Sequence, residues 1–301
     1  MNNYKFRHVI ISFYRFVEIS EKKEKKKILD EALFKKEIKG TILLSDEGIN
    51  GSLAGKENEL IEIIKFLKKL IKVRNMELKV NDINSIPFNK LKVRLKKEIV
   101  SLGKGSIDVN KLTGEFIHPK KWDNVISNED VRLIDLRNPY EIKIGKFQNS
   151  INPKTDNFRE FPKKFKNMNL DKKDTIAMYC TGGIRCEKAS AFLRKEGYKN
   201  ILQLEGGILN YLNYFKNRKT KNSWTGECFV FDNRVAVKRN LEKGSYEQCY
   251  GCRSPITKKD RKSKFFTQGV SCPYCYKLRS NEQKKRSLSR QKQIDSNHLK
   301  F

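Results

Sequence analysis

Apolar positions along the first hundred residues switch between strand and helix periodicity. Residues 8–17 are nearly all apolar, aromatic or β-branched (Val9, Ile10, Ile11, Phe13, Tyr14, Phe16, Val17), which predicts a buried strand. Over 21–39, Ile28, Leu29, Ala32, Leu33 and Phe34 recur at helical spacing among lysines, so a Lys-rich helix is expected with those five inward. Residues 40–45 read as a second strand. The glycine-containing stretch 46–55 follows as a tight turn, with 52–54 opening a third strand. An amphipathic helix is expected over 57–72, built on Leu60, Ile61, Ile64, Leu67, Leu70 and Ile71, with further strands at 78–80 and 93–95. The order β-α-β-β-α-β is that of a ferredoxin-like α+β domain.

A polar linker (101–105 and 110–114) separates this region from a different rhythm. Short apolar runs at 131–136, 176–179 and 201–204 alternate with helical patterns carrying Ala189, Phe192 and Leu193, then Leu209, Tyr211, Leu212 and Phe215. Alternation of this kind predicts an α/β domain with a parallel sheet, helices on both faces and functional groups at the carboxyl ends of the strands. Further on, 229–231 and 235–237 flank Asp232-Asn233 and predict a hairpin. Few apolar residues follow Leu278. The expected division is a ferredoxin-like domain over 1–100, a linker over 101–115, a parallel-sheet domain over 116–220, a Cys-rich module over 221–280 and a basic tail over 281–301, flexible or a frayed helix.

Composition narrows the setting. No apolar stretch in the 301 residues is long enough to span a bilayer, and the first residues run towards a strand without the pattern of a signal peptide. Seven cysteines, one in an activating setting, point to a reducing cytoplasm. The net charge of +30 attracts polyanions, nucleic acid first among them. A chain rich in Lys, Asn and Ile is also what an AT-biased genome encodes, so charge alone does not name the polyanion.

The chemistry concentrates where the 176–179 strand ends. Cys180-Thr181-Gly182-Gly183-Ile184-Arg185 joins that strand to the next helix. Glycines let such a loop turn its N–H groups inward, the helix start adds partial positive charge, and Arg185 adds a full one. Each favours thiolate, which makes Cys180 the candidate nucleophile. Cys186, at the helix start, reads as a packed thiol first and as a resolving partner second. His118, before Pro119, reads as a cap, and Asp46 and Glu47 read as solvated turn residues before catalytic carboxylates. Cys249, Cys252, Cys272 and Cys275 form a C-x2-C-x19-C-x2-C pattern that suits a structural zinc site. Lys258, Lys259, Arg261, Lys262 and Lys264 between these knuckles, and the tail, are candidate phosphate contacts. No G-x-G-x-x-G motif is present, so no organic cofactor is indicated.

The residues leave two chemistries open for Cys180. It can accept sulfur as a persulfide, or it can add to a carbon such as C6 of a uracil. A cysteine phosphatase fits less well, since its loop is usually a longer C-x5-R.

The loop resembles that of the rhodanese family, as do Asp135-Leu136-Arg137-Asn138-Pro139-Tyr140-Glu141 and the turn Glu205-Gly206-Gly207. Lys146 stands where rhodanese domains often carry His. More narrowly, 179–194, together with 45–55, the Cys228 hairpin and the paired knuckles, resembles the tRNA uridine hydroxylases of the TrhO (YceA) type. That resemblance implies oxygen-dependent 5-hydroxylation of the wobble uridine, U34, in tRNA, with dioxygen and an unidentified electron donor as co-substrates and the anticodon region as partner. It carries the catalytic role onto Cys180, and Thr181, Gly182, Gly183, Ile184 and Arg185 become the anion-binding loop. Asp135 and Arg137 are expected to brace it. A rhodanese-type sulfurtransferase and a non-catalytic RNA-binding adaptor are the alternatives.

Overall fold

The computed structural model describes residues 7–298 apart from 106, 219 and 221; residues 1–6 and 299–301, including the end of the expected tail, lie outside the described residues. The chain opens with β1 (His8–Phe16), α1 (Lys22–Leu33), β2 (Lys39–Ser45), β3 (Gly48–Lys56), α2 (Glu57–Leu70), β4 (Glu77–Asp82) and β5 (Leu91–Leu95). The sheet order is β4-β1-β3-β2-β5, with β5 parallel to β2 and the other pairs antiparallel. The first four strands give the ferredoxin-like arrangement, and β5 extends its edge.

Strand alternation decides what each face does. Val9, Ile11 and Phe13 of β1 pack with Ile42, Leu44 and Leu53 against Leu29, Leu33, Leu60, Ile64 and Leu67 of the two helices. Ser12 and Tyr14 alternate to the other face, which no helix of this domain covers. Three expected inward residues fall outside the core, and Ile28 of α1 is one of them. Phe34 is 83% exposed because α1 stops at Leu33, and Ile38 takes up the buried position. Ile61 is exposed and Ile63 buried in its place, a rotation of the apolar stripe by part of a turn.

The second unit holds α3 (Val109–Leu112), β6 (Glu115–Ile117), α4 (Pro119–Ile126), β7 (Val131–Asp135), α5 (Pro139–Ile142), β8 (Gly145–Phe147), a 3-10 turn (Phe158–Glu160), α6 (Phe161–Lys166), β9 (Thr175–Tyr179), α7 (Ile184–Lys195), β10 (Ile201–Leu204) and α8 (Gly207–Phe215). Its sheet is parallel, in the order β6-β10-β9-β7. Ala177 and Tyr179 of β9 meet Trp122 of α4 and Ile208, Tyr211 and Leu212 of α8. Ile176 and Met178 meet Phe161, Phe165, Ala189, Phe192 and Leu193 of α6 and α7. Both faces are thus covered, and Cys180 emerges at the carboxyl end of an inner strand. Within 101–115, read as a polar linker, Leu102 and Val109 are buried, and the Glu98 carboxylate accepts from the N–H groups of Leu102 and Gly103.

The remainder adds β11 (Trp224–Gly226), β12 (Cys228–Phe229), β13 (Ala236–Val237), β14 (Glu247–Gln248), β15 (Pro255–Ile256), α9 (Lys258–Arg261) and α10 (Asn281–His298). β11 pairs antiparallel with β8, which ties this region to the parallel-sheet unit. The expected hairpin forms with Cys228 opposite Val237 and Phe229 opposite Ala236. The tail, expected to be flexible or frayed, is an 18-residue helix where described. Its Glu, Gln, Lys and Arg residues are good helix formers. Arg279 donates to Ser287 Oγ (2.6 Å), and Arg290 donates to the carbonyl of Tyr250 (3.1 Å), which docks the helix on the Cys-rich module.

Candidate active site

The loop after β9 is shaped from both sides. Ile208 N–H donates to the Cys180 carbonyl (2.9 Å) and Leu209 N–H to that of Thr181 (3.1 Å). Gly207 lies at φ +68°, and a Cβ there would stand 2.5 Å from the Cys180 carbonyl oxygen, so only glycine lets the start of α8 press on the loop. Gly183 adopts φ +100°, turning its N–H onto Cys180 Sγ at 3.1 Å. Burial by itself would raise the Cys180 thiol. The hydrogen bond from the Cys186 thiol, the charge of Arg185 and the N–H groups of Cys186 and Gly183 outweigh it, and Cys180 falls to about 5. Cys186 moves the opposite way: burial, the bond it gives to Cys180 and the charge of that thiolate hold it well above the ordinary thiol range. Cys228 is likewise packed, and burial pushes its thiol up to about 12.

Arg185 is buried and engaged. Nη1 donates to Glu141 Oε2 (2.9 Å) and the Leu136 carbonyl (3.2 Å), and Nη2 donates to Glu141 Oε1 (2.7 Å). Glu141 also accepts from Asn138 N–H (2.9 Å) and from Thr181 Oγ1 (3.4 Å). Burial opposes its ionisation, but Arg185 holds its pKa below the usual carboxylate value. The sequence leads one to expect Arg185 to face an anion. The structure gives its fork to Glu141 instead, and its charge still reaches Cys180. Asp135 and Arg137 pair with each other at 2.6 and 2.9 Å, both wholly buried. Arg137 also donates to the carbonyls of Glu141 (3.3 Å) and Gly145 (2.7 Å), so its hold on the loop runs through Glu141. Glu141 is the residue that sequence reasoning left without a role, although the Asp-x-Arg-x-x-x-Glu segment ends on it.

The uncovered face of the first sheet closes over this loop. Lys79 of β4 donates to the Gly182 carbonyl at 2.6 Å. The Tyr14 hydroxyl donates to Glu187 in the first turn of α7. Burial raises Glu187 to about 7, against the bond from Tyr14. Between the two domains and the β12–β13 hairpin lies a cleft of about 540 Å³, lined by Tyr14, Asn50, Lys79, Cys180, Arg185 and Phe231 among others. Glu47 is not a solvated turn residue. It binds the fully buried Lys188 Nζ at 2.6 and 2.8 Å, with Glu98 at 2.5 Å on the same ammonium, which fastens the first domain to α7. Asp46 pairs with Lys22 at the surface. His118 caps α4, Nδ1 accepting from Lys120 N–H (3.2 Å).

The four knuckle cysteines come together, their sulfurs all within 4.8 Å of one another. Cys249 and Cys275 sulfurs are 3.9 Å apart, and Cys252–Cys272 and Cys272–Cys275 are 3.8 Å. Four thiolates about 2.3 Å from a tetrahedral zinc are separated by about 3.8 Å, so the set fits a metal with no open position. Between the knuckles, Arg261 pairs with Glu247. Among the described residues no helix is long and apolar enough to cross a membrane.

Two segments of the chain match known domain families. Residues 8–99 match the UPF0176 acylphosphatase like domain and residues 118–214 the Rhodanese-like domain. Among solved structures the chain is similar to a rhodanese-related protein from Thermoplasma volcanium (29% identity, 33% of this chain and 92% of that one, TM-score 0.29). It is also similar to the polysulfide-sulfur transferase homodimer of Wolinella succinogenes (26% identity, 35% and 80% covered, TM-score 0.30). Along nearly its whole length it is 46% identical to the tRNA uridine(34) hydroxylase of Pelagibacter ubique, over 288 residues that cover 95% of this chain and 94% of that protein. The chain therefore belongs to the tRNA uridine(34) hydroxylase family.

Proposed function

We propose that this protein hydroxylates the wobble uridine of tRNA at C5, with Cys180 as the nucleophile. The observation that carries the reading is the Cys180 thiol, lowered to about 5, in the lining of a cleft of about 540 Å³. The Cys180 thiolate adds to C6 of the uracil, which makes C5 nucleophilic. C5 then takes one oxygen atom derived from dioxygen. The second atom leaves as water with two electrons and two protons from an external reductant. Loss of the C5 proton and expulsion of the thiolate from C6 restore the ring. The Tyr14 hydroxyl, in the cleft wall and bonded to Glu187, is positioned to move that proton. Anticodon bases are single-stranded, and extruding one into such a pocket costs little pairing energy. The four-cysteine set would hold zinc as a structural centre, outside the reaction. Reduced thiols and a tRNA substrate support a cytoplasmic location.

A trapping experiment tests the covalent step. An anticodon stem-loop carrying 5-fluorouridine at the wobble position has no C5 proton to lose, so the C6 adduct accumulates. The expected result is a protein–RNA adduct on the Cys180 peptide, absent in Cys180→Ala. RNA bound without an adduct, or an adduct on another cysteine, would overturn the assignment. A persulfide on Cys180 that passes sulfur to uridine would move the protein to sulfur transfer.

A further inference from the structure

The cleft over Cys180 continues past Phe231 into a second cavity of about 1160 Å³, and Thr41, Phe88, Phe231 and Asp232 line both. The outer groove is walled by the β5 edge, the β12–β13 hairpin, the Cys-rich module and α10. Lys90, Lys92, Arg253 and Arg290 bring four positive charges to it. Of its two carboxylates, Asp232 is matched by Arg234 in a two-point pair (2.7 and 2.9 Å) and Asp295 accepts from Gln291. Lys90 and Lys92 are exposed. Open aromatic surface lies among these cations: Phe231 is 64% exposed and Tyr250 47%. The Phe231 ring stands edge-on to Phe229 at 5.1 Å, which fixes it at the junction of the two cavities.

A groove that alternates cations with exposed aromatic rings suits single-stranded nucleic acid, whose phosphates follow the charges and whose bases stack on the rings. Duplex RNA is met mainly through its shape and minor groove, which such rings would not serve. Resting on the function proposed above, we infer that this groove holds the anticodon-loop strand that flanks the target uridine. Its phosphates lie on Lys90, Lys92, Arg253 and Arg290, and the neighbouring base stacks on Phe231. The lysines between the knuckles, Lys258 to Lys264, do not line it. The contact surface is therefore narrower than a net charge of +30 would suggest.

The test is binding of a synthetic anticodon stem-loop RNA to the full chain, followed by fluorescence anisotropy across a salt series. Lys90→Glu/Lys92→Glu is compared with Lys65→Glu/Lys69→Glu on the outer face of α2, which removes the same charge far from the groove. The groove pair is expected to weaken binding at least about tenfold and to lower the salt slope by about 1.4, two phosphate contacts on a single strand. The α2 pair is expected to change binding less than about threefold. Phe231→Ala, which leaves every groove charge in place, is expected to weaken binding about tenfold through lost stacking. Iodoacetamide alkylation of Cys180 stays unchanged in the two lysine-pair variants. Equal loss from both lysine pairs, or displacement of the RNA by poly-glutamate at the same charge concentration, would overturn the groove. Tight RNA binding insensitive to Lys90, Lys92 and Phe231 would overturn the groove alone, whereas no RNA binding by the unaltered chain would overturn the proposed function with it.

Discussion

Two regions of this chain collect thiols, and they use them in opposite ways. At Cys180 one sulfur is held as an anion by groups that a packed domain has already fixed: a Gly183 N–H, the Cys186 thiol and an arginine locked onto Glu141. Behind it lie two apolar layers, one on each face of the parallel sheet. In the Cys-rich module the sulfurs are themselves the core. Its buried cluster is Cys249, Ile256, Cys272 and Cys275, with Cys252 and Phe266 at the edge. In the first region the fold makes the thiolate; in the second, thiolates on a metal would make the fold.

Metal removal should separate the two most sharply. A strong chelator, or Cys252→Ser, is expected to abolish hydrogen-exchange protection over 247–298 and to release one equivalent of metal, because so small an apolar cluster cannot offset the entropy of chain ordering by itself. Cys180 should keep its alkylation profile throughout. Protection that persists without metal would erase the distinction.

Alkylation against pH is the next discriminator. The rate at Cys180 is expected to rise through pH about 5 and to be flat from there through neutrality, since a lowered pKa keeps the thiolate present above it and loses it below. Cys186, raised by burial, should stay unreactive across that range. An inflection near the ordinary thiol pKa of about 8.5 would contradict the loop electrostatics.

Glu141→Gln is expected to cost about 3 kcal/mol in urea unfolding, because a buried Arg185 loses its counter-charge. A smaller effect is expected from Lys188→Met. That change removes the ammonium between Glu47 and Glu98, whose side chains are 23% and 17% exposed and can be rehydrated, so about 1–2 kcal/mol should be lost. The first change acts within the parallel-sheet unit. The second acts between the domains, and limited proteolysis should show them loosened.

These contrasts also mark what could be read in the sequence. β1 was legible as a nearly unbroken apolar run, buried on both faces, and the β-α-β-β-α-β order because helical spacing separates such runs. The loop was legible because its residues are contiguous. Glu141 was not assigned, because its partner lies far along the chain and only the turn of α5 brings them together. Glu47 and Lys188, 141 residues apart, were hidden for the same reason, and a carboxylate in a glycine-rich turn looks solvated until its neighbour is known. Lys79 in β4 was hidden as well. It stands opposite Ser12 on the sheet face that the first domain leaves uncovered, and that face has meaning only once the second domain is docked.

The proposed function rests on one reaction at one thiol. The most direct test is nucleoside mass spectrometry of hypomodified tRNA incubated with the protein, or with Cys180→Ala, under isotopically labelled dioxygen with a reductant. Labelled 5-hydroxyuridine is expected with the unaltered chain and none with Cys180→Ala. The label is needed because adding oxygen and replacing oxygen by sulfur change the nominal mass equally. Thiolated uridine without label, or label incorporation that survives Cys180→Ala, would contradict it.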